Sequence, residues 1–189
     1  MSTSVEVPGY VAGKWAIDPV HSDVAFSVRH MMVSRVRGHF TRIEGEIVLA
    51  ENPLDSSATA HIDLTSIDTN DPTRDNDLRS ANFFEVETHP DMVYRSTAVH
   101  RAGEGYLVDG ELTLHQITRP VQLKVEVNGF AKDPYGNQRC GFSATTEIDR
   151  TDFGIRTNIP MDGGGVVIGE KISVAIEVEA ILQQEPASA

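Results

Sequence analysis

The sequence predicts an all-β chain. Three observations carry this. Apolar and polar residues alternate over stretches of about six to ten positions, clusters of Gly, Pro, Asn and Asp separate the stretches, and only two short segments depart toward helical spacing. About eight such stretches of roughly eight residues, joined mostly by short connections, suit a β-sandwich or a closed antiparallel barrel. The alternation leaves both open.

Taken in order, Val24, Phe26 and Val28 alternate with Ala25, Ser27 and Arg29. Ile43, Ile47 and Leu49, with Gly45 between them, alternate with Arg42, Glu44, Glu46 and Val48. Ala58, Ala60, Ile62 and Leu64 alternate with Thr59, His61, Asp63 and Thr65, and Met92, Tyr94, Ser96 and Ala98 keep the rule less cleanly. Residues 106–115 predict a further strand. Val121, Leu123, Val125 and Val127 show the clearest alternation, residues 140–148 follow, and Ile172, Val174, Ile176, Val178 and Ala180 complete the set. Turns are expected at Asn52-Pro53, residues 103–105, Arg119-Pro120, residues 133–137 and residues 162–165. Residues 29–37 read as a short turn of helix. Residues 73–84 place Leu78, Asn82 and the phenylalanines at helical spacing behind a capping Thr or Asp. One domain is expected over residues 13–182, with a flexible leader over 1–12 and a flexible tail over 183–189.

Composition excludes several function classes. With 40% hydrophobic and 23% charged residues, the chain of 189 is neither polar enough for disorder nor apolar enough for a helical membrane protein. Sixteen Lys and Arg against 28 Asp and Glu give a net charge of −12, which repels phosphate backbones and anionic lipid surfaces, so no nucleic-acid partner and no stable membrane insertion are expected. Arg29, Arg35, Arg37 and Arg42 form the one approach to a basic cluster and read as a solvated rim. The single Cys140 excludes an intrachain disulfide and reads as a packed apolar residue. The first residues show no basic segment followed by an apolar one, and no run of about 18 apolar residues occurs, so a cytoplasmic protein is expected.

Chemical motifs are sparse. His21, His30 and His39 recur every nine residues, but nine residues of strand span about 30 Å, and no HxxxH or HExxH occurs, so no metal is expected. There is no GxSxG, and Ser22 beside His21 is only a sequence neighbour. The glycines at 163–165 precede a strand, whereas a phosphate cradle leads into a helix. An enzymatic alternative uses His30, His115 and Asp63 as acid and base around a hydrophobic substrate. A filled barrel serving protein interaction is a third reading.

Gly13-Lys14-Trp15 is similar to the GxW that opens the first strand of many lipocalins, where the tryptophan closes the barrel floor. From there the resemblance becomes specific. WAIDPVHSDVAFSVRHM over residues 15–31, then Gly38-His39-Phe40, Ile62-Asp63, Ser66-Ile67, Thr69, Arg74-Asp75, Leu78-Arg79-Ser80 and Phe83-Phe84 follow one another in order. GELTLH over residues 110–115, Ile117-Thr118-Arg119-Pro120, Gly169 and Glu179-Ala180 continue the series. Together they resemble the YceI-like polyisoprenoid-binding family over about residues 13–182.

The resemblance implies an elongated eight-stranded antiparallel, lipocalin-like β-barrel with one or two short helical segments and an apolar pore. It implies a bound polyisoprenoid lipid (a polyprenyl phosphate, diphosphate or prenylquinone), no catalysis and no cofactor, and it allows a homodimer. Many family members carry a signal peptide and work in the periplasm, which departs from the cytoplasmic expectation here. On this reading the lipid tail contacts Phe26, Val28, Ile43, Ile47, Ile62, Leu64, Tyr94, Leu112, Leu114, Val125 and Phe142, the apolar faces of the strands. A packed core would select the same positions. The head group falls to Arg74 and Arg79 first, with His30 and Arg37 second, unless the two helical arginines pair with Asp71, Asp75 or Asp77.

Overall fold

In the computed structural model, which describes residues 7–185, the strands are β1 (Gly13–Ile17), β2 (Asp23–His30), β3 (Ser34–Phe40), β4 (Ile43–Leu49), β5 (Ser57–Asp63), β6 (Ile67–Asp68), β7 (Asp91–Ala102), β8 (Gly105–Leu114), β9 (Ile117–Lys132), β10 (Gln138–Asp149) and β11 (Ile168–Leu182). One α-helix, α1 (Pro72–Arg79), lies between β6 and β7. Every pairing is antiparallel. β1 and β2 run in line along β11, with Ile17 opposite Ala180 and Asp23 opposite Glu177. β3 and β4 share the next stave, and β5 and β6 the one after, broken at the 3₁₀ turn Leu64–Ser66. Three broken staves and five continuous ones make a barrel of eight, and the β1–β11 pairing closes it.

The break between β1 and β2 is fastened by charge. Asp18 accepts from Val20 N–H at 2.9 Å and pairs with His21 Nδ1 at 2.7 Å. The Arg139 guanidinium on β10 donates Nη1 to Asp18 (2.9 Å) and Glu179 (2.6 Å), and Nε to Asp133 (2.8 Å). This network ties the break to β11 and to the β9–β10 turn, where Asp133 N–H donates to the Asn137 carbonyl as the turn residues predict.

Two turns differ from expectation. Residues 29–37 form a hairpin instead of a helical turn: Val28 faces Val36, Val33 N–H donates to the His30 carbonyl, and Met31 and Met32 take left-handed φ of 51° and 62°. The β8–β9 turn lies at His115-Gln116 (φ 55° and 60°), not at Arg119-Pro120. Pro120 sits inside β9 opposite Glu111. It is tolerated because β9 pairs with β10 only from Lys124 onward, leaving no second partner to receive a missing N–H. The helix forms where Asp71 caps it, accepting from Thr73 and Arg74 N–H, and Pro72 opens its first turn. It stops at Arg79, and Phe83 and Phe84 follow in irregular turns, short of the helix expected to 84.

Each end of the barrel has its own packing. At the end where β1 begins, Trp15 has no exposed surface, donates Nε1 to the Val11 carbonyl (3.2 Å) and meets Phe130 edge-on at 5.7 Å. Leu49, Cys140 and Ala180 complete that cluster, with Tyr10 and Val11 packed against it. The leader expected over 1–12 is therefore docked at Tyr10, whose hydroxyl donates to the Ala50 carbonyl at 2.6 Å. Residues 1–6 and 186–189 lie outside the described residues. Toward the opposite end, Leu78, Phe83 and Phe84 pack onto the main core, with Phe84 edge-on to Phe40 at 6.0 Å.

Candidate ligand cavity

Between these two plugs the inward faces of the staves enclose a cavity of about 330 Å³. Alternation along each strand builds its wall. β2 contributes Phe26 and Val28, β4 Ile43 and Ile47, β5 Ile62, β7 Tyr94, β8 Leu112 and Leu114, β9 Val125 and β10 Phe142. Space remains because small residues, Ala58, Ala60, Ser96 and Ala144, share the wall with the large ones. The plug contributes Leu78, Phe83 and Phe84.

The few polar atoms in the wall are turned into it. Ser96 Oγ accepts from Ala58 N–H at 2.8 Å. Tyr94 directs its hydroxyl at the Val108 and Val121 carbonyls, 3.2 and 3.1 Å away. Burial, with Asp109 adding to it, pushes that hydroxyl up to about 12, so it stays neutral. Gly110 makes the arrangement feasible, since a Cβ there would overlap the Tyr94 hydroxyl. Cys140 is buried behind the wall, and burial pushes its thiol up to about 12, which removes it as a nucleophile.

One charged residue lines the cavity. Arg150, in the 3₁₀ turn after β10, is 6% exposed. Its Nε donates to Gly169, Nη1 to Ile155 and Thr157, and Nη2 to Ile168, all backbone carbonyls, which uses four of its five N–H groups. No carboxylate among the described residues forms an ion pair with it. Burial draws its pKa below the usual arginine value, opposed by Glu170 and Asp149. Nothing in the alternation pattern points to Arg150, because it lies just past the end of a strand.

The YceI-like domain family matches residues 15–180. This chain belongs to the YceI-like family. Protein YceI of Escherichia coli is 33% identical over 92% of this chain and 90% of its own. A UPF0312 protein of Pectobacterium carotovorum is 34% identical over 87% of this chain and 83% of its own. The YCEI protein of Campylobacter jejuni superposes with a TM-score of 0.70 at 27% identity, covering 82% of this chain and 90% of that one. A Saccharophagus degradans protein described as a polyisoprenoid binding domain implicated in plant cell wall breakdown shares the fold, with a TM-score of 0.70 at 17% identity over 92% of this chain and 100% of that one.

In this YceI-like barrel ten of the eleven apolar positions named from the sequence line the cavity. Leu64 does not. Alternation ends at Asp63, whose carboxylate caps the 3₁₀ turn, and Leu64 is buried in that turn with its N–H donated to the Pro90 carbonyl. Arg74 and Arg79 do not reach the cavity either. Arg74 donates to the Thr69 hydroxyl and carbonyl, both at 2.8 Å. Arg79 donates to the Thr65 and Ile67 carbonyls at 3.0 and 2.8 Å. They lash α1 to the end of the β5–β6 stave, with backbone oxygens as partners, while Asp75 accepts from Thr69 N–H and hydroxyl instead. His30 ends β2 half-buried outside the lining, and Arg37 is exposed on the outward face of β3. His115 and Asp63 are also outside the lining, the latter 3.1 Å from Arg42. No helix among the described residues is long and apolar enough to cross a membrane.

Proposed function

We propose that this YceI-like barrel is a non-catalytic carrier that holds a polyisoprenoid lipid, a polyprenyl phosphate, diphosphate or prenylquinone, for storage, transport or sequestration. The observation that carries this reading is a cavity running between the two plugs whose wall offers apolar side chains and a single charged group. The relative of the same fold described as a polyisoprenoid binding domain agrees with it. β10 has twelve residues. That is about 40 Å of strand, and at a tilt of about 40° about 30 Å of barrel, room for several isoprene units in line. Each buried CH₂-sized group contributes about 0.8 kcal/mol, so about ten offset the roughly 8 kcal/mol of micromolar affinity before the cost of ordering the tail. The tail lies along Phe26, Val28, Ile62, Tyr94, Leu112 and their neighbours. The head group sits toward Arg150, whose remaining N–H is available to an anionic or carbonyl oxygen. The acid–base alternative loses support because His30, His115 and Asp63 all lie outside the lining.

Two variants test this. Ala144→Phe fills the cavity from β10, so uptake of a fluorescent polyprenyl diphosphate is expected to fall at least tenfold while circular dichroism stays that of a barrel. Unchanged uptake would place the ligand outside the cavity and overturn the reading. Arg150→Met is expected to weaken a polyprenyl diphosphate about tenfold more than the corresponding polyprenol, about 1.4 kcal/mol. Comparing two ligands on one variant removes any general effect on the fold.

A further inference from the structure

Beside the plug, three metal-ligating side chains converge that no sequence motif joins. Glu85 and His89 are four residues apart, and His89 N–H donates to the Glu85 carbonyl at 2.9 Å, so one helical turn sets both side chains on the same side. His115, the first residue of the β8–β9 turn, faces them. Glu85 Oε2 lies 3.8 Å from His89 Nε2 and 3.7 Å from His115 Nε2, and the three ligand atoms all fall within 4.8 Å of one another. The imidazoles stand edge to face with centroids 4.6 Å apart.

These separations are too long for hydrogen bonds. His115 Nε2 is the one buried side-chain nitrogen or oxygen among the described residues without a hydrogen-bond partner. Zinc bound tetrahedrally at about 2.0–2.1 Å holds neighbouring ligand atoms about 3.3–3.5 Å apart, so the two glutamate separations need to close by only a few tenths of an ångström, and the two imidazoles, with ligand atoms within 4.8 Å, swing together to seat an ion. A supporting contact is already in place: the Thr88 hydroxyl donates to Glu85 Oε1 at 3.3 Å and leaves Oε2 for the ion. The His89 and His115 side chains are 13% and 22% exposed and that of Glu85 is 40% exposed, which gives the ion a solvent route and a position for water. Asp18, His21 and Glu179 also lie close together, but the Arg139 guanidinium already bridges Asp18 and Glu179.

We propose that Glu85, His89 and His115 form a site for a divalent transition-metal ion of the zinc class, with three protein ligands and a fourth position open to water. This departs from the expectation of no metal, which rested on His21, His30 and His39. A bound ion staples residues 80–90, which carry Phe83 and Phe84 onto the cavity, to the β8–β9 turn.

The test is Co²⁺ titration of the full chain after dialysis against a chelator. One equivalent with the visible absorption of four-coordinate cobalt is expected, displaced by one equivalent of Zn²⁺. Zinc should also raise the melting temperature in proportion to the logarithm of its concentration. His89→Gln, His115→Gln and Glu85→Gln each weaken binding at least tenfold, while His21→Gln leaves it unchanged. Should a variant fail to fold, nitrogen NMR of the wild-type histidines decides instead, with only the His89 and His115 Nε2 signals moving on addition of Zn²⁺. Absence of bound Co²⁺ at 100-fold excess, or binding that persists in the His89→Gln/His115→Gln double variant, overturns the proposal.

Discussion

Asp18 is one of the carboxylates that couple the stability of the barrel to pH. Burial alone would raise its pKa, but hydrogen bonds from His21, from Arg139 and from Val20 N–H outweigh burial and hold it at about 2, below the ordinary value of 3.8. The unfolded chain therefore takes up the proton first. The stability this group supplies is complete above about pH 4 and is lost as pH falls toward 2. Urea unfolding across that window should show stability falling with pH in the wild type, and Asp18→Asn should flatten the fall; an equal slope in the variant would contradict the assignment. Asp18-Pro19 followed by His21 reads as structural from local spacing. Arg139 does not, because it joins Asp18 across 121 positions of chain and only barrel closure brings them together. Arg74 and Arg79 show the same limit: their sequence neighbours are aspartates, yet they donate to the backbone oxygens of Thr65, Ile67 and Thr69, on and beside β6.

At the scale of elements, the strands were legible and two of their turns were not. Alternation sets which residues face inward, and it placed β2, β4, β5 and the strands from β7 to β11, but not β3, most of which lies in the residues 29–37 expected as a turn of helix. Hairpin turns with positive φ at both central positions are usually signalled by Asn-Gly or Asp-Gly, whereas here Met31-Met32 and His115-Gln116 adopt that geometry. The flanking strands impose it, since His30 opposite Ser34 leaves three residues and Leu114 opposite Ile117 leaves two to close the hairpins. Holding non-glycine residues there costs on the order of 1 kcal/mol each. Replacing Met31-Met32 by Asn-Gly should therefore raise stability by about 1 kcal/mol in urea unfolding, and a loss of stability would show that the methionines make contacts that outweigh the backbone cost. The second site was not read from the sequence: the metal expectation rested on His21, His30 and His39, and His115 meets Glu85 and His89 only through a turn expected at Arg119-Pro120.

For the whole molecule, the inward face named from alternation serves a filled barrel and a hollow one equally. What separates them is volume. Ala58, Ala60, Ser96 and Ala144 leave room that larger side chains would occupy, and Tyr10, Leu49 and Phe130 of the Trp15 cluster at one end and Phe83 and Phe84 toward the other bound the space. Family resemblance located the fold, and Gly13-Lys14-Trp15 pointed to one plug; the other plug, the cavity and Arg150 became visible only once eight staves were closed around a common axis. The most direct test is native mass spectrometry of the intact purified protein, followed by organic extraction and addition of a polyprenyl diphosphate or prenylquinone to any unliganded fraction. The account predicts one equivalent of an isoprenoid lipid, copurified or taken up one to one. A bare protein mass that gains nothing from either added lipid would contradict it.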